Sequence, residues 1–209
     1  MDPILIGYFP KRRSEFPTGW GQSGVSKVTE IAGLAHYTSD GPANWIEQYR
    51  HNEMWFFDSE VLARKVIYDA IQIDIEPDPQ HDPPWRIQLN HETGHKYDFY
   101  AYKMFPCCFV DGRQEDFVMP SLNCEPLPAD YVRLGYDAVN RTCCPHFECG
   151  PLFCNGMADE IEVNRFCLID EPQRVLEVAR YFSERKPEPG TYFAIEVWRK
   201  TTPARELTS

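Results

Sequence analysis

The order of apolar and polar residues divides the chain into short, mostly strand-like segments with amphipathic helices between them. Residues 4–9 (Ile-Leu-Ile-Gly-Tyr-Phe) are one apolar run, which predicts a buried strand stopped by Pro10. Residues 25–37 fit helix or strand, and Thr38-Ser39-Asp40-Gly41-Pro42 reads as a turn. Trp45, Ile46 and Tyr49 then fall at helical spacing. After the aromatic triplet Trp55-Phe56-Phe57, Asp58 and Ser59 are N-cap candidates for a helix reaching about Ala70. In that helix Leu62, Val66 and Ala70 form one row, with Ala63, Ile67 and Ile71 beside it. Ile71, Ile73 and Ile75 next alternate with polar residues, the period of a strand. The proline-rich residues 77–84 predict an extended surface loop.

Residues 97–110 are aromatic-rich and suit a long strand, turned by Asp111-Gly112 into a second strand near Phe117. Residues 120–156, rich in Pro, Asn, Gly and Cys, read as irregular, and residues 160–169 alternate like a strand. Asp170 is placed to cap a helix with Pro172 in its first turn and Val175, Leu176, Ala179 and Phe182 on its buried face. Pro187-Glu188-Pro189-Gly190 ends it, and residues 191–199 form a strand with Phe193, Ile195 and Val197 on one side. No internal repeat or heptad stands out. The expected fold is one α+β domain over residues 1–200, with a mostly antiparallel sheet, two or three packed helices and long irregular loops. A flexible tail is expected at residues 201–209.

Charge narrows the function. Among 209 residues, 21 are basic and 32 acidic, a formal net charge of −11. That excess disfavours nucleic acid or an anionic membrane as the main partner. The apolar run at residues 4–9 is too short for a membrane span and follows no basic leader, so a cytoplasmic location is expected. In that reducing setting the eight cysteines are expected to be thiols or metal ligands.

Three motifs bear on chemistry. His91-Glu92-Thr93-Gly94-His95 matches H-E-x-x-H, in which His91 and His95 would grip zinc from one helix face while Glu92 activates water. Pro83-Pro84 upstream, Gly94 within and a strand-like run just after all oppose the helix that this chemistry requires. Gly19-Trp20-Gly21-Gln22-Ser23-Gly24 matches G-x-G-x-x-G, but nine residues separate it from the preceding strand, so the phosphate-cradling turn lacks its setting. Cys144, His146, Cys149 and Cys154 lie close together in the irregular stretch and are a candidate structural zinc set. Their spacing would converge only in a loop. Cys107, Cys108, Cys124 and Cys167 read as small buried side chains.

Trp55-Phe56-Phe57-Asp58-Ser59, the helix with Ala63 and Val66, the aromatic strand, and Leu134-Gly135-Tyr136-Asp137-Ala138-Val139 together resemble the ADP-ribosyltransferase toxins over about residues 50–170. That resemblance implies a cleft for NAD, with Glu148, Glu160 and Glu162 as candidates for the catalytic glutamate. The reading favoured here is an acidic binding or inhibitory module, immunity-like, for a protein partner with a basic surface. The NAD-binding enzyme and a zinc hydrolase using His91 and His95 are the alternatives.

Overall fold

Aromatic and β-branched residues recur in four of the five strands that form the sheet. The computed structural model describes residues 2–12, 27–34, 51–65, 97–141 and 150–201. Its strands are β1 (Ile4–Arg12), β2 (Tyr97–Val110), β3 (Arg113–Asp116), β4 (Tyr131–Arg141) and β5 (Thr191–Lys200). Helical segments are α1 (residues 60–65 of the described chain), the single turn α2 (Pro151–Cys154), a 3-10 turn (Met157–Asp159) and α3 (Pro172–Arg185). Every pairing is antiparallel, in the order β1-β2-β5-β4, with β3 folded back on the C-terminal part of β2. The α+β class, the long strand 97–110, the Asp111-Gly112 hairpin and the C-terminal helix and strand all match the sequence expectations. No helix among the described residues is long and apolar enough to cross a membrane.

Three expectations about strands need correcting. Pro10 does not stop the first strand, because β1 is an outer strand and tolerates a residue without an N–H; pairing continues to Arg12. The stretch 120–156 contains the eleven-residue strand β4. Residues 160–169 are a loop that meets the sheet through the Ile169–Tyr136 bridge and the Asn164–Leu134 bond, because the Asn164 side chain takes up the N–H groups of Phe166 and Leu168. The expected helix around Trp45, the alternation at 71–76 and the loop at 77–84 lie outside the described residues.

A repeat hidden in the sequence organises the molecule. In the first half, the Asn52 side chain accepts from the N–H of Met54 and Phe56 and donates to Ile6 O and Asp58 Oδ1, at 3.0–3.2 Å. In the second half, Asn164 accepts from Phe166 and Leu168 and donates to Leu134 O and Asp170 Oδ1, at 2.8–3.3 Å. Trp55 and Cys167, three residues after each asparagine, share a left-handed backbone with φ of 65° and 57°. Phe57 then exchanges two backbone hydrogen bonds with Tyr8, as Ile169 does with Tyr136. Each receiving strand bulges one residue before its tyrosine, at Gly7 (φ 138°) and Gly135 (φ 148°). A Cβ on Gly7 would lie 2.8 Å from Phe57 O, and one on Gly135 2.8 Å from Ile169 O, so both positions exclude other residues.

The sheet register makes these copies symmetric. Gly7 pairs with Tyr102, Gly135 pairs with Val197, and Tyr102 pairs with Val197. A twofold axis through that central pair therefore exchanges β1-β2 with β4-β5. Asp58 and Asp170 hold equivalent places: each braces its asparagine. The expected Asp170 cap is accordingly absent, and α3 begins after Glu171 with no side-chain cap, whereas Ser59 Oγ accepts the Leu62 N–H at 3.1 Å and starts α1.

Both faces of the sheet carry packed segments. Helix α3 buries Val175, Val178, Ala179 and Phe182 against Phe105, Tyr192 and Ala194. At the symmetric place on the same face, the Arg64 guanidinium of α1 sits 4.3 Å over the Phe99 ring. The opposite face holds Tyr100, Tyr102, Ile195 and Val197 under the segment 28–34. Lys11 of β1 donates to Gly33 O at 2.7 Å, and Asp137 of β4 accepts the Leu34 N–H at 2.9 Å. Two strands lie between β1 and β4, roughly 14 Å across in a flat sheet. Both reach one dipeptide, so the sheet curls around this segment.

Candidate functional site

The symmetry supplies a test of which polar residues the scaffold requires. On the curled face, Phe9–Tyr100–Arg199 maps onto Asp137–Ile195–Met104, and Lys11–Asp98 maps onto Val139–Phe193. One end of this face thus carries Lys11, Asp98 and Arg199, where its symmetric end carries Asp137 among apolar residues. On the helix-bearing face, the Lys103–Glu196 pair maps onto Trp198–Ala101, and Arg133 maps onto Leu5. The strands hold equally well with Ala101 and Leu5, so Glu196 and Arg133 are not demanded by the sheet.

The charged end of the curled face is closed. Arg199 forms ion pairs with Glu30 and, at 3.7 Å, with Asp98, while the Tyr100 hydroxyl donates to Glu30 at 3.3 Å. Burial followed by the Glu30 charge raises the Tyr100 pKa. Burial works against the Arg199 cation, but its bond to Glu30 and the further attraction of Glu30 and Tyr100 together outweigh this and hold the pKa up. Asp137 is wholly buried, and burial pushes its carboxyl up to about 6 even though the Leu34 N–H and Lys11 pull the other way.

The helix-bearing face has a shelf between α1 and α3 that water reaches. Glu196, only 5% exposed, accepts from the Trp198 indole N–H at 2.8 Å. Lys103 and Arg133 approach the same carboxylate at 3.9 and 3.5 Å, and these side chains are 25% and 47% exposed. The Lys103 ammonium lies 4.8 Å over the Trp198 ring, and Arg133 donates to the Tyr136 hydroxyl at 2.8 Å. In the first half the matching Tyr8 hydroxyl donates instead to the carbonyls of Glu125 and Pro126, so chain covers that counterpart. The shelf combines an indole, a phenol and two cations around a buried carboxylate, a composition suited to contact with another molecule.

A third cluster ties α1 to the sheet. Glu60 accepts from Arg64 at 2.6 Å, Lys200 at 2.9 Å and Tyr131 at 3.1 Å, and Lys200 also meets Asp130 at 2.6 Å. Burial raises the Glu60 pKa, yet the bonds from Lys200 and Arg64 outweigh it and leave it lowered. Glu30, Glu60, Asp98, Asp130, Asp137 and Glu196 are therefore matched by Lys11, Arg64, Lys103, Arg133, Arg199 and Lys200. These networks are neutral together, and the whole formal excess of −11 lies outside them.

Most residues singled out from the sequence fall elsewhere. Cys144, His146 and Cys149 lie outside the described residues, as do His91, Glu92, His95, Glu148 and the glycines 19–24. Cys154 ends α2. Among the described residues, no three His, Cys, Asp or Glu side chains converge as metal donors. Cys107, Cys108 and Cys167 are buried; Cys124 is half-buried, and burial followed by Asp58 pushes its thiol up to about 11. Burial likewise raises Cys107 and Cys108, so none of these three is an activated thiolate. Glu160 is exposed beside Arg185 and Tyr181, and Glu162 is exposed near Lys27. Gly135-Tyr136 lies inside β4 and repeats the structural role of Gly7-Tyr8. The shelf escaped the sequence reading although Glu196 interrupts the run 192–197, where both strand faces are buried. No family model matches the chain, and no curated protein or solved structure matches it.

Proposed function

We propose that this chain is a binding module of the inhibitory, immunity-like kind, acting on a protein partner with a basic surface. The observation that supports the reading is the partition of charge. Interior and half-buried ion pairs balance among themselves, leaving the net −11 on other residues, among them the exposed Glu53, Glu115, Asp116, Glu125 and Glu171. A one-signed outer field accelerates encounter with an oppositely charged protein. The shelf then offers Trp198 and Arg133, residue types that contribute strongly to binding energy. A reducing, cytoplasmic setting suits the neighbouring free thiols Cys107 and Cys108.

The test begins with capture of a partner on the immobilised chain at low ionic strength. The purified partner's association rate is then measured from about 50 to 500 mM salt. The rate is expected to fall by about tenfold or more, with little change in dissociation. An association rate independent of salt would remove the proposal.

A further inference from the structure

Open sheet edges invite another strand, and this fold covers two of them, at one residue each, with one device. Phe57 bonds to Tyr8 along the outer side of β1, and Ile169 bonds to Tyr136 along the outer side of β4. The short strand β3 is built differently. Asp111 (φ 48°) and Gly112 (φ 77°) form a two-residue hairpin turn that pairs Val110 with Arg113. In such a ladder Arg113 and Glu115 bond inward to β2, while the backbone N–H and C=O of Gln114 and Asp116 point outward. The Phe117 N–H, bonded to Pro106 O at 3.2 Å, continues the inward alternation. All four side chains of β3 are exposed, and Val118 beyond it is 89% exposed.

The hairpin is held in place. The Gly112 N–H donates to Ser183 Oγ of α3 at 2.9 Å, and Lys186 pairs with Asp111 at 2.6 Å. A fixed edge loses little entropy when a second strand joins it. Glu115 and Asp116 outweigh Arg113 and leave that strand with a net charge of −1, in keeping with the overall excess.

We infer that β3 accepts an extended, Lys- or Arg-bearing segment of the partner as an added β-strand. The inference rests on the binding reading and names the partner segment it takes. The experiment uses a dye-labelled, end-capped Lys-Val-Lys-Val-Lys-Val peptide and the matching Glu-Val peptide, titrated against the whole chain by fluorescence anisotropy. Gln114→Pro removes an outward N–H without removing a bond to β2, so melting is expected to stay unchanged while the Lys-Val peptide binds on the order of tenfold more weakly. Amide exchange of the wild-type chain at saturating Lys-Val peptide should show new protection at Gln114 and Asp116, which keeps the test decisive even if the variant folds poorly. Equal affinity for wild type and Gln114→Pro, or no protection at those amides, overturns the edge while leaving charge steering in place. Failure of the Lys-Val peptide to bind at low salt overturns the acidic binding reading with it.

Discussion

Replacing Asn52 or Asn164 by Ala should be among the most damaging single changes in the chain, and the two should cost nearly the same. Each side chain donates two and accepts two hydrogen bonds with oxygen and nitrogen partners at 2.8–3.3 Å, and Asn52 also meets Cys124 Sγ at 3.8 Å. Alanine would strand two loop N–H groups, those of Met54 and Phe56 or of Phe166 and Leu168, three of them on buried residues. Each stranded group costs about 1–3 kcal/mol, and the donated bonds contribute about 1 kcal/mol each. Allowing for partial relaxation, the loss is about 3–5 kcal/mol per variant, a large share of the usual 5–15 kcal/mol total. Urea unfolding followed by tryptophan fluorescence measures it directly, and thermal scans should fall by roughly 10 °C or more. A loss under about 1 kcal/mol in either variant would refute the assignment of these side chains as braces. A loss confined to one would refute the equivalence of the halves.

Other outcomes follow from the same geometry. Gly135→Ala should cost more than about 2 kcal/mol, since its Cβ would press on Ile169 O at 2.8 Å, whereas Gly156→Ala, also at positive φ but with open space around it, should cost about 1 kcal/mol in the same unfolding assay. Asp137 binds its proton more tightly folded (pKa about 6) than unfolded, so its contribution is greatest below pH 4 and diminishes as pH rises through 6. Wild-type stability measured against Asp137→Asn should therefore decline between pH 4 and 7, by on the order of 3 kcal/mol, and a rise over that interval would contradict the burial argument. Glu196→Ala should lower stability by no more than about 1–2 kcal/mol, because the symmetric Ala101 fits the same strand position; a loss as large as that of the asparagine variants would make the shelf structural.

What the sequence disclosed was governed by periodicity. The strand 97–110 and the helix from Pro172 were legible because aromatic alternation and a four-residue apolar row persist over several turns. β4 was hidden by the prolines and cysteines around it, although Tyr131–Arg141 itself contains neither. Residues 160–169 misled because alternation also arises in a loop whose N–H groups converge on one amide side chain. The repeat escaped notice because the halves share little beyond Gly-Tyr and an Asn and Asp six residues apart, with different Gly-to-Asn spacing. The charged shelf was unreadable for another reason. Lys103, Arg133 and Glu196 come from three strands, and only the register brings them together.

The order of strands has a consequence for synthesis. β5 lies between β2 and β4 in space yet is the last of the described strands to be made, so the first half waits with the inner side of β2 uncovered. That side carries Tyr100, Ala101, Tyr102 and Met104 with Lys103 among them, a largely apolar ladder of the kind that recruits other chains. A chain interrupted before Thr191 would keep this ladder exposed however well its first half had closed. Early termination should therefore yield aggregated or degraded product and no soluble half-protein, and intact chains depend on rapid arrival of their final strand.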